Sequence, residues 1–178
     1  MEKNGIDTKN PQAIRSLVVV FSCHHRNTEK IAHVFAKVLD AEVKTPQQVI
    51  PGEIAEYDLV GFGSGIYNAT FHESLLDLTN RLPRAGNTKA FLFSTYGAPA
   101  AFAGREFIEK NHQQIRENLL VKGYTVFGEF GCAGWNTNSF LKYFGGLNKG
   151  RPNADDLDNA ETFARCMKEK TRISRAGF

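Results

Sequence analysis

The sequence predicts a doubly wound α/β domain, a three-layer sandwich in which a parallel sheet is covered by helices on both faces. Two observations carry this. Short apolar runs alternate with segments of helical spacing from Ser16 to the C-terminus. The first run, Leu17-Val18-Val19-Val20-Phe21, is continuously apolar instead of alternating, as in a strand with both faces buried.

The elements follow in order. Residues 1 to 15 are polar and mixed in charge and read as a flexible arm; the domain proper spans 16–178. After the first strand, Asn27 is placed as a helix N-cap, with Ile31, Val34, Phe35, Val38 and Leu39 on the apolar face. A short second strand falls near Ala41 to Lys44. Pro46, Pro51 and Gly52 then mark a loop before a third strand, Asp58 to Ser64. Leu75, Leu78 and Leu82 define a helical face stopped by Pro83. Lys89 to Ser94 is the fourth strand, and Phe107, Ile108, Ile115 and Leu119 carry the next helix, which ends at Gly123. Tyr124 to Cys132 is the fifth strand. A last helix enters through Pro152-Asn153 and buries Leu157, Ala160, Phe163, Ala164 and Met167. The connection from Ala133 to Ala154 is long and holds Trp135, Phe140, Tyr143 and Phe144; a loop so aromatic is expected to cover something.

Composition narrows the function classes. At 178 residues, 42% apolar and 23% charged, the chain fits one ordinary globular domain. No apolar run approaches the roughly 20 residues of a membrane span, and the N-terminus lacks the apolar core of a signal peptide. Three cysteines, Cys23, Cys132 and Cys166, are too few and scattered for a disulfide framework and read as reduced thiols of a cytoplasmic protein. A formal charge of +3 is too mild to indicate nucleic acid.

Ligands of open parallel sheets bind beyond the carboxyl ends of the strands, so the loops there matter most. They read Ser22-Cys23-His24-His25-Arg26-Asn27-Thr28, Ser64-Gly65-Ile66-Tyr67 and Ser94-Thr95-Tyr96-Gly97-Ala98-Pro99. In the first, Ser22, Asn27 and Thr28 offer donors beside the free amides of a helix start, which suits a phosphate. The same residues serve equally well as helix caps. Gly65 and Gly97 let backbone approach a flat ligand, and Tyr67 and Tyr96 could sandwich an isoalloxazine ring. Together the loops suit flavin mononucleotide, FMN. Trp135 either stacks near that ring or anchors the long loop on the core. Adjacent Cys23, His24 and His25 point in different directions, and no second cluster completes a metal site. The phosphatase spacing Cys-x5-Arg fails, because it lands on Glu29. No Gly-x-Gly-x-x-Gly or Gly-Lys-Ser/Thr is present, and the third strand does not end in a receiver's Asp.

From Ser16 to Lys170 the chain resembles the flavodoxin family, on Phe21-Ser22 to Asn27-Thr28, on Tyr57 through Tyr67, and on Phe93-Ser94-Thr95-Tyr96-Gly97. The resemblance implies five strands in the order 2-1-3-4-5. It implies an FMN phosphate held by the first loop, with Ser22, His24, His25, Arg26, Asn27 and Thr28 nearby. It also implies a flavin ring flanked by Ser64, Gly65, Ile66 and Tyr67 and by Ser94, Thr95, Tyr96 and Gly97. The first loop departs from the family's Ser/Thr-x-Thr-Gly-Asn-Thr: it is one residue longer and places His24-His25-Arg26 at the Thr-Gly step. The expected function is electron transfer to protein partners. A small FMN-dependent reductase of quinones or similar acceptors, and a cofactor-free binding module, stay open. No residue reads as a catalytic acid, base or nucleophile.

Overall fold

The computed structural model describes residues 13–99, 101, 103–138, 141, 143 and 145–177. The expected N-terminal arm falls outside these as far as residue 12, as do Phe140 and Phe144 of the aromatic loop.

Strands β1 (Ser16–Phe21), β2 (Glu42–Lys44), β3 (Leu59–Tyr67), β5 (Lys89–Tyr96) and β6 (Thr125–Ala133) pair in parallel in the order β2-β1-β3-β5-β6. A two-residue strand, β4 (Thr70–Phe71), folds back antiparallel on the end of β3. Without that hairpin strand, the order is the one the sequence implied. Helices α1 (Asn27–Leu39) and α4 (Ala154–Ala176) cover one face; α2 (Glu73–Arg81) and α3 (Arg105–Val121) cover the other.

Alternation along the strands divides the core. Leu17, Val19, Val60, Phe62 and Leu92 point toward Leu75 and Leu78 of α2 and Ile115 and Leu119 of α3. Val18, Val20, Phe91 and Phe93 meet Ile31 and Phe35 of α1 and Ala160, Ala164 and Met167 of α4. Each fully buried side chain of this size contributes about 1.5–3 kcal/mol. On the second face the Phe35 ring meets Phe91 and Phe93 edge-on, at centroid distances of 5.4 and 4.9 Å. Those rings need glycine beneath them. A Cβ at Gly61 would lie 2.3 Å from the Phe91 ring, and one at Gly63 2.0 Å from that of Phe93.

Two boundaries differ from expectation for the same reason. The third and fourth strands run on to Tyr67 and Tyr96, because pairing of Ser64 with Ser94 and Gly65 with Thr95 continues the sheet past residues that read locally as loop. Asn27 is the first helical residue, not the cap. Arg26 occupies the cap position in the left-handed region, φ 53°, and its side chain caps nothing.

Candidate functional site

The carboxyl ends of β1, β3, β5 and β6 and the segments beyond them meet around a cavity of about 90 Å³. Ser22, His24, Asn27, Thr28, Gly65, Ile66, Tyr67, Thr95, Tyr96, Gly97 and Trp135 all line it, so eleven of the fifteen residues chosen from sequence converge on one space. Four do not line it. Ser64 faces the α2 side, where its hydroxyl donates to the Gly65 carbonyl and accepts from the His72 amide. Ser94 faces α3 and bonds His112. His25 lies over the long loop, and Arg26 is exposed and paired with Glu29.

Each loop is fixed by a contact to another. Thr28 Oγ1 and Thr95 Oγ1 share a buried hydrogen bond of 2.7 Å, tying the start of α1 to the end of β5. Asn27 Nδ2 donates to the Trp135 carbonyl at 2.9 Å. His25 stacks on the Trp135 indole, centroids 4.1 Å apart, while its Nε2 meets Thr137 Oγ1 at 2.8 Å. Asn136 and Asn148 donate to the carbonyls of Gly97 and Ala98. The long loop therefore lies across the cavity, stitched to the first and third loops by asparagines. Asn136, Asn138 and Gly134 join the lining, residues that sequence reading passed over. The run of Asn in an aromatic loop was the available signal.

The electrostatics favour an anion at one end. Helix α1 has no side-chain cap, whereas His72 caps α2 and Asn153 forms a reciprocal capping box with Asp156 on α4. The Asn27 amide bonds back to the His24 carbonyl at 3.4 Å, and no side chain caps the amides that follow, which carry the positive end of the dipole; α3, entered at Gly104, also lacks a side-chain cap. Burial, then contact with Cys23, pushes the Tyr67 hydroxyl well above a phenol's usual range, so it stays protonated. Burial likewise raises Tyr96.

The two tyrosines differ from the expected clasp. Tyr67 folds over Gly65 at the cavity mouth, its ring edge-on to His72. Tyr96 is only 7% exposed; its ring packs edge-on against Phe107 of α3, and its hydroxyl reaches toward the Ala103 carbonyl. One of the two rings is therefore committed to the core. The physical reason is parity: residues 65 and 67 share a face of the sheet, and Tyr96 projects from the other.

Three further histidines lie on or beside the helices. His33 is exposed and His72 caps α2. His112 is fully buried, with Nδ1 3.0 Å from Glu129 Oε2 and Nε2 2.8 Å from Ser94 Oγ. Among the described residues no cluster of His, Cys, Asp and Glu could hold a metal, and no helix is long and apolar enough to cross a membrane.

Comparison with solved structures gives the fold its class. Flavodoxin 2 from Bacillus cereus superposes with a TM-score of 0.64 at 17% identity, covering 88% of this chain and 99% of that one. A flavodoxin from the domain Archaea superposes at 0.61 and 18% identity, covering 89% and 99%. The fold is flavodoxin-like. In sequence, the chain is 42% identical over 154 residues to "Uncharacterized protein MJ0298" of Methanocaldococcus jannaschii, spanning 86% of this chain and 98% of that protein. The chain belongs to the family of that archaeal protein. No protein-family model matches it.

Proposed function

We propose that the chain is a flavodoxin-like redox protein that holds FMN at this cavity and passes electrons to partner proteins. The observation that carries the reading is that the uncapped N-terminus of α1 opens into the same space as Tyr67, Gly65, Thr95, Gly97 and Trp135. The donor set fits the cofactor's phosphate. Ser22, Thr28 and the α1 amides are neutral donors at a helix start, and Arg26 beside them is already balanced by Glu29.

The ring needs more room than 90 Å³, since pockets for ligands of this size run to roughly 300 Å³ or more. Its entry requires the Trp135–Asn138 segment to move outward from its hydrogen bonds to Asn27 and Gly97. Tyr67 and the His25–Trp135 pair then offer ring surfaces on either side. When bound, FMN supplies the redox chemistry. The chain anchors the phosphate, orients the ring and limits water at its edge.

Reconstitution with FMN tests this directly. A flavin spectrum shifted from that of the free cofactor is expected; an unshifted spectrum would leave only a cofactor-free binding module. Rapid mixing of the reconstituted protein with NADH and NADPH is expected to give no direct reduction. Fast reduction by either would replace the carrier with a reductase.

A further inference from the structure

The cavity mouth carries a group for which cofactor binding has no use. Cys23, exposed at the end of β1, places Sγ 3.0 Å from the Tyr67 hydroxyl and 3.1 Å from His24 Nδ1. Tyr67 retains its proton and can donate to the sulfur, and His24 Nδ1 is placed to take the thiol proton as the sulfur attacks. The start of α1, its amides uncapped, lies just beyond. The sulfur therefore sits between a phenol donor and a ring nitrogen at the cavity mouth.

A second observation, independent of the thiol, points to an incoming group. Asn27 is 7% exposed and lines the same cavity. Its Nδ2 donates to the Trp135 carbonyl, which fixes the amide's orientation, and its buried Oδ1 has no partner. A buried acceptor left unpaired costs about 1–3 kcal/mol, so a donor that reached it would be held there. The chain's other thiols differ. Cys132 is buried, and burial pushes its thiol far upward. Cys166 is exposed but sits in the middle of α4, away from any helix start.

We infer that Cys23 is a modification site for small disulfides whose other half carries N–H or O–H donors. The thiol proton passes to His24 Nδ1 and the thiolate attacks one sulfur of R–S–S–R. A Cys23–S–S–R bond forms as the original S–S bond breaks, and R–S⁻ leaves with the electron pair. The adduct lies in the cavity mouth, where a donor of R can turn toward Asn27. Its consequence, closing the cavity to FMN, rests on the proposed function; the reactivity does not.

The test uses the full chain without cofactor and oxidised glutathione as probe, with adducts assigned by peptide mass mapping over time. Cys23 is expected to be modified at least about tenfold faster than Cys166, with Cys132 inert. Tyr67→Phe and, separately, His24→Ala are each expected to slow Cys23 several-fold while leaving Cys166 unchanged. Equal rates at Cys23 and Cys166, or no effect of either variant, would overturn the inference. Preincubation with FMN is expected to protect Cys23. Fast, selective labelling without that protection would sink the cofactor reading and leave the thiol site standing.

Discussion

Two polar clusters flank neighbouring residues of β5 on opposite faces of the sheet, and they are built in opposite ways. Around Thr95 the cluster is open: α1 is uncapped, Asn27 Oδ1 is unpaired, and loops from four strand ends surround a space. Around Ser94 it is closed. Glu129 is held by His112 and Arg116, and His112 in turn by Ser94. A carboxylate only accepts, so His112 Nδ1 carries the proton and donates to Glu129; Nε2 then accepts from the Ser94 hydroxyl. Every strong donor and acceptor in that chain is matched. The geometry looks like a nucleophile, base and acid in line, but Ser94 is sealed from solvent at 1% exposure and His112 is fully buried. A closed network contributes stability and a unique arrangement, whereas an open one at the strand ends leaves polar groups to a ligand, as the proposed function requires.

The largest expected effect breaks the closed side. His112→Ala leaves a void and strips a partner from both Ser94 and Glu129, so it is expected to cost about 3 kcal/mol in urea unfolding. The open side is expected to respond in affinity instead. Asn27→Ala and Thr28→Ala should each weaken FMN by about 1–3 kcal/mol in a fluorescence titration, with unfolding midpoints shifted far less than by His112→Ala. Equal stability losses on both sides would erase the contrast.

Acid sharpens it further. Burial holds His112 below the usual histidine value despite Glu129, so the unfolded chain binds this proton first as pH falls. Stability from this group is therefore full above about pH 6.5 and declines below it, by up to about 1.4 kcal/mol per pH unit until the folded protein also takes up the proton. For Glu129 burial is the largest influence and pushes upward, but hydrogen bonds from His112 and Arg116 prevail and hold it below the usual range. Its contribution is lost only as pH falls below about 4.5. Unfolding curves from pH 7.5 to 5 should show the histidine decline in the parent and not in His112→Ala.

The smallest effect compares helix starts. Asn153→Ala removes the α4 capping box and should cost about 1 kcal/mol. Arg26→Ala, at a cap position that caps nothing, should shift the unfolding midpoint by less than half as much.

The open side was largely legible in the sequence because its residues cluster in three short loops whose position the fold dictates. The closed side was not. His112 and Glu129 are 17 residues apart on different elements, and only tertiary packing brings them together; neither belongs to a local pattern. Ser64 and Ser94 read as ligand-edge residues because they begin the loops, but strand parity turns both toward α2 and α3. Tyr96 lines the cavity, but the same parity turns its ring onto Phe107. The reach of β3 to Tyr67 is hidden by Ser64-Gly65-Ile66-Tyr67, which reads as a loop until the pairing of Gly65 with Thr95 extends the sheet.

The central claim is that α1 begins with amides reserved for a phosphate. Calorimetric titration of the protein with FMN and with riboflavin, which lacks only that phosphate, tests it most directly. The account predicts that FMN binds at least about a hundredfold more tightly, as two charge-assisted hydrogen bonds would give. Equal affinity for the two flavins would contradict it.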